Sequence, residues 1–183
     1  MNTRDIVYIA LFAAVVAALG VFPPVTIPAI NVPITAQTLG VMLAGGILGA
    51  RRGALAMVLF LLLVAVGLPL LSGGRGGFGV FFGPSGGFLF GWIAAAFVTG
   101  FMIERLWLKL NTGYAFLSCV IGGIVVLYTI GVPWLAATAQ LPLSQALIGS
   151  LAFVPGDLIK AVLAAVIIVT VKRSYPVISV SQA

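Results

Sequence analysis

Apolar runs long enough to cross a bilayer alternate along this chain with short stretches rich in glycine, proline and basic residues. Six such runs, near 6–22, 35–50, 53–71, 87–108, 114–132 and 147–171, each predict a helix suited to hydrocarbon. The second is short, about 24 Å at 1.5 Å per residue, so it either reaches across a thinned region or packs inside the bundle. The expected architecture is an all-α membrane protein, a bundle of six transmembrane helices forming one integral membrane domain over residues 1–183.

Composition agrees with that reading. The chain is 62% hydrophobic and 7% charged, against roughly 25% charged residues in an average soluble domain. A net charge of +6 would suit nucleic acid, but the bases are scattered singly and in pairs at the ends of apolar runs, where membrane topology needs them. Arg4, Arg51, Arg52, Arg105, Lys109, Lys172 and Arg173 fall at the two termini and the second and fourth connections, while the first, third and fifth connections carry only Arg75. Positive residues stay on the cytoplasmic side, so both termini are expected there, in a multi-pass protein of the plasma (inner) membrane in contact with lipid. The opening run lacks the small-residue cleavage pattern of a secretion signal and is read as the first span. A single cysteine, Cys119, and the absence of histidine exclude an internal disulfide and argue against a His/Cys metal site.

Two outward connections stand out. The segment "FPPVTIPAINVPIT" holds Pro23, Pro24, Pro28 and Pro33, which favour extended or turning chain and suit a lid. In "SGGRGGFGVFFGPSGG", Phe78, Phe81 and Phe82 interleave the glycines, as expected of a loop that packs rather than of a free linker.

The last run contains an acid, Asp157, and a base, Lys160, three positions apart on one helical face. With a helix beginning near residue 147, Asp157 lies about 15 Å along it, close to the middle of the hydrocarbon. Each charge costs on the order of 2.5–3.5 kcal/mol there, so the two should face the interior or a wet cavity and pair. An ion pair that only fixes helix packing is the structural alternative. Pro155 and Gly156 favour a functional one, because they predict a kinked, accessible patch of backbone beside the charges. Catalytic signatures are missing: no phosphate-binding Gly-Lys-Ser/Thr loop, no histidine base, no second acid in the spans, and no base for Ser85.

The stretches "VPITAQTLGVMLAGGILGARRGALAMVLFLLLVAVGLPLLSGG", "GPSGGFLFGWI" and "FVPGDLIKAVLAA" together resemble the BioY family, the biotin-specific substrate-binding subunits of energy-coupling-factor vitamin importers. The resemblance covers residues 32–165, with Ser85 where threonine is more usual, an exchange that keeps the hydroxyl. It implies a six-helix bundle that takes biotin from the outer face. Its partners would be a transmembrane coupling subunit and ATP-binding cassette subunits on other chains, so this chain would carry no cofactor of its own.

Under the resemblance, Asp157 and Lys160 match the polar contacts to the ligand's head group. The ureido ring of biotin offers two N–H donors to a carboxylate and a carbonyl to an ammonium. Its thioether ring and tail need an apolar wall, for which Phe78, Phe81, Phe82, Phe88 and Trp92 are candidates. Arg75 is the candidate for its carboxylate, with Ser85 and Gln37 as further polar contacts. Ala10, Ala14 and Ala18 recur every fourth residue of the first run, and the resemblance implies that this stripe docks the coupling subunit; packing within the bundle is the alternative. Association of the chain with itself is left open. Two other classes remain: a proton-coupled carrier or channel using the pair as a relay, and a membrane enzyme in which Lys160 tunes Asp157.

Overall fold

The computed structural model describes residues 2–26 and 32–178. Pro28 of the first connection lies outside them. Eight helices follow in order: α1 (Thr3–Leu19), α2 (Gln37–Leu48), α3 (Ala50–Ala65), α4 (Gly86–Arg105), α5 (Thr112–Val120), α6 (Leu127–Ala139), α7 (Leu143–Leu151) and α8 (Val154–Ser174). Short 3-10 turns occupy Phe78–Phe81 and Trp107–Lys109, and a π-helical turn, Ile121–Val126, joins α5 to α6 without a break. Between α1 and α2, strands β1 (Val25–Thr26) and β2 (Pro33–Ile34) pair antiparallel, Val25 opposite Ile34.

Three continuous helices, Gly86–Arg105, Thr112–Ala139 and Val154–Ser174, are long and apolar enough to cross a membrane. The short second run packs inside the bundle: α2 is buried along almost its whole length and touches α1, α3, α4 and α8. A Cβ at Gly45 would overlap the Ala96 carbonyl of α4, so the missing side chain is what lets α2 and α4 approach so closely.

The last run differs from expectation. It is two helices, broken after Leu151, and α8 starts only at Val154 with Pro155 in its first turn. Proline lacks the N–H that would continue the ladder from α7, whereas at a helix start no donor is needed. Asp157 therefore sits in the first turn of α8, near the positive end of its dipole, and not half-way along a span.

The seven bases that the charge pattern grouped are carried on segments that meet at one end of the bundle. Arg52 bonds Asp5 at 3.3 Å, the Leu48 carbonyl at 2.9 Å and the Val177 carbonyl at 3.2 Å. Nearby, Glu104 accepts the Ala50 N–H at 2.9 Å, and Lys172 donates to the Trp107 carbonyl at 2.6 Å. The start of α1, the α2–α3 junction, the end of α4 and the end of α8 are thus stitched together.

Candidate functional site

At the other end, α2, α4, α6, α8, residues 32–35 and the α3–α4 connection surround a narrow cavity that opens in part to the outside. Its polar focus is built from three helices. The Lys160 ammonium lies 2.8 Å from Asp157 Oδ1 and 3.0 Å from the Thr38 hydroxyl. That hydroxyl donates in turn to Asp157 Oδ1 at 3.2 Å, closing a triangle. The Tyr128 hydroxyl donates to Asp157 Oδ2 at 2.6 Å. The carboxylate is 5% exposed and the lysine side chain 14%, so both charges are nearly dry. An ammonium has three hydrogens and a carboxylate about four acceptor positions, and the partners among the described residues leave one of each uncommitted. The pair can therefore bond one further group that both donates and accepts, without breaking apart.

Aromatic rings form the adjoining wall. Phe88, Tyr128 and Phe153 meet edge to face with centroids 6.1–6.5 Å apart. A Cβ at position 131 would fall within the Phe88 ring, so Gly131 of α6 is what admits that ring between α4 and α6. Trp92, one turn further along α4, is also buried in the lining and packs on Phe60 at 5.9 Å.

Arg75 reaches the cavity from the α3–α4 connection. A two-way bridge between Leu71 and Arg75, at 3.0 and 3.2 Å, closes a tight turn, while the guanidinium donates to the Ser72 carbonyl at 3.3 Å and makes a long 3.5 Å contact with the Ser85 hydroxyl. Burial pulls the Arg75 pKa below the ordinary guanidinium value. It stays cationic at neutral pH, since a guanidinium is not deprotonated in proteins.

The cavity thus brings together Asp157, Lys160, Arg75, Ser85, Gln37 and Trp92. It does not include Phe82. That residue is 65% exposed and clusters with Phe78, next to Phe81, in a separate apolar groove against α3 and α4. Phe88 supplies the wall instead, because the 3-10 turn at Phe78–Phe81 aims its rings away from the cavity. Gln37 lines the cavity but has its amide fully engaged: it donates to the Val16 and Leu70 carbonyls, both at 3.0 Å, and accepts from the Ser72 amide at 3.0 Å and hydroxyl at 3.3 Å. Thr38 and Tyr128 escaped the sequence reading; a hydroxyl one residue from Gln37 and a tyrosine midway along an apolar run were the signals available. Ala10, Ala14 and Ala18 all lie on the exposed face of α1, opposite the buried Ile9, Ala13 and Val16. They do not pack within the bundle.

Comparison with known proteins agrees. A biotin transporter BioY from Rhizobium etli is 55% identical over 97% of this chain and 98% of its own length. A second, from Rhodobacter capsulatus, is 45% identical over 94% and 95%. A crystal structure of the S-component for biotin from an ECF-type ABC transporter superposes with a TM-score of 0.89 at 35% identity, over 94% of this chain and 95% of that one. The model of the BioY family matches residues 1–177, and the chain belongs to that family.

Proposed function

We propose that this protein is the biotin-capturing subunit of an uptake system of the energy-coupling-factor type. The observation that carries the reading is the nearly dry Asp157–Lys160 pair facing a cavity with an aromatic wall, in a chain whose relatives are named biotin transporters. The ureido ring has the composition the pair lacks: one of its N–H groups meets the free acceptor position of Asp157, and its carbonyl takes the remaining hydrogen of Lys160. Trp92, Phe88 and Phe153 enclose the bicyclic body, and Arg75 with Ser85 receives the carboxylate tail.

In this reading the chain is one membrane domain that crosses the plasma membrane six times. The seven clustered bases support placing that end, with both termini, in the cytoplasm and the cavity toward the outside. The exposed alanine stripe of α1 is the surface offered to the coupling subunit, and ATP is hydrolysed on other chains. Transport, not catalysis, is its role.

Equilibrium binding of labelled biotin to the purified protein in nanodiscs tests the reading. Saturable binding, competed by unlabelled biotin, is expected. No binding, or uptake that persists without ATP-binding subunits and collapses with the proton gradient, would replace it with a proton-coupled carrier.

A further inference from the structure

Gln37 is fully buried, yet every bond its amide makes leads to backbone or side chain of two other segments. The Val16 carbonyl belongs to the last turn of α1, where helix carbonyls lose their own donors. Gly20, four residues on, donates instead to Ala17 and Ala18, so the amide of Gln37 satisfies an acceptor the helix abandons. The Leu70 carbonyl and the Ser72 amide flank Leu71, the first partner of the bridge that closes the Arg75 turn. From Ser72 the path continues to the guanidinium, through the 3.3 Å bond between Arg75 Nε and the Ser72 carbonyl.

We infer that Gln37 is a positioning residue: it clamps residues 70–72 onto α1 and α2, so that the short turn presents the Arg75 guanidinium to the carboxylate end of the ligand. The flanking Gly73 and Gly74 both have positive φ, so the turn has little stiffness of its own and depends on such a tether. With the amide saturated, Gln37 has no hydrogen-bonding capacity left for the ligand, and its effect on recognition passes through Arg75. This inference rests on the reading of Arg75 as the carboxylate contact proposed above.

The test is discrimination between biotin and its neutral methyl ester, measured as the ratio of their dissociation constants. The proteins compared are the native form, Arg75→Ala, Gln37→Met, Ser72→Ala, and the double variant Gln37→Met with Arg75→Ala. The native ratio should be about tenfold or more and Arg75→Ala should reduce it to about one, as expected for loss of a charge-assisted contact. Gln37→Met, apolar and of similar length, should lower the ratio at least about fivefold, with biotin weakened far more than ester. It should add nothing further in the double variant, because residues acting in series are not additive. Ser72→Ala, which keeps the amide bond and loses the hydroxyl bond, should lower the ratio about twofold.

If Arg75→Ala abolishes discrimination while Gln37→Met leaves it intact or weakens both ligands equally, the clamp is refuted and the carboxylate assignment survives. Native discrimination retained by Arg75→Ala refutes the carboxylate assignment, and the clamp with it. Should Gln37→Met fail to fold, unchanged discrimination in Ser72→Ala overturns the inference on its own.

Discussion

At the base-rich end Arg52 and Asp5 meet at 3.3 Å, while at the cavity end Lys160 and Asp157 meet at 2.8 Å. The two cations are equally covered, each 14% exposed, so burial of the base does not separate the sites. Their partners do. Arg52 and Lys172 donate to the carbonyls of Leu48, Val177 and Trp107, and Glu104 accepts a backbone N–H, so these charges join chain segments to one another. Among the described residues, the side chains of Lys160 and Asp157 bond only to other side chains, those of Thr38, Tyr128 and each other, around a space. A charge tied to backbone closes off its surroundings, whereas side chains from three helices converging on a void leave room for a guest.

The largest expected effect comes from replacing the whole pair. Asp157→Leu with Lys160→Met removes both charges together, and swapping a buried ion pair for apolar residues of similar volume is often neutral or stabilising. The melting temperature should therefore hold or rise, while biotin affinity falls by about a hundredfold or more through loss of two charge-assisted contacts. Native affinity in that variant would show that the pair serves packing alone and that the two ends of the bundle do not differ in kind.

Single variants come next. Asp157→Asn and Lys160→Ala each remove one bond to a charged group, worth about 1.5–3 kcal/mol, so calorimetry should record losses of about tenfold or more. Both should also melt below the double variant, since each strands one buried charge. Tyr128→Phe should be milder, about three- to tenfold. Its 2.6 Å bond to Asp157 exists before the ligand arrives, so its loss acts by loosening the carboxylate, with the ring wall kept. A loss as large as that of Asp157→Asn would instead make Tyr128 a direct ligand contact.

How far the sequence disclosed this arrangement varies with the kind of signal. Charges in apolar runs are expensive, so Asp157 and Lys160 were conspicuous, as was Arg75 for being the one base on the outward connections, and the glycine and proline breaks located most helices. The α7–α8 break was concealed because apolar residues continue across it, and Pro155 reads equally as a kink or as a helix start. Phe82 and Phe88 are indistinguishable as letters; only the turn at Phe78–Phe81 decides which ring faces the cavity. Thr38 is an ordinary helix residue until α8 brings Asp157 beside it. Gln37 was visible as a polar residue at a helix start, but its partners lie on two segments whose approach is a property of the folded chain.

The smallest effect tests whether the ends are independent. Helix α2 runs between them: Gln37 and Thr38 open it at the cavity, and the carbonyl of Leu48, its last residue, takes a bond from Arg52. A disturbance at Arg52 thus has a direct route to Thr38 along one buried helix. That helix is held on several sides by close backbone packing, such as the contact of Gly45 with Ala96, so the loss of one bond at its far end should not shift it. Arg52→Gln, which removes the charge but can still donate to a carbonyl, should leave biotin affinity within about twofold of native, as for most substitutions remote from a site. A tenfold change would mean that α2 slides as a rod. The base-rich end would then set the geometry of Thr38, and the backbone stitches there would be part of the recognition machinery.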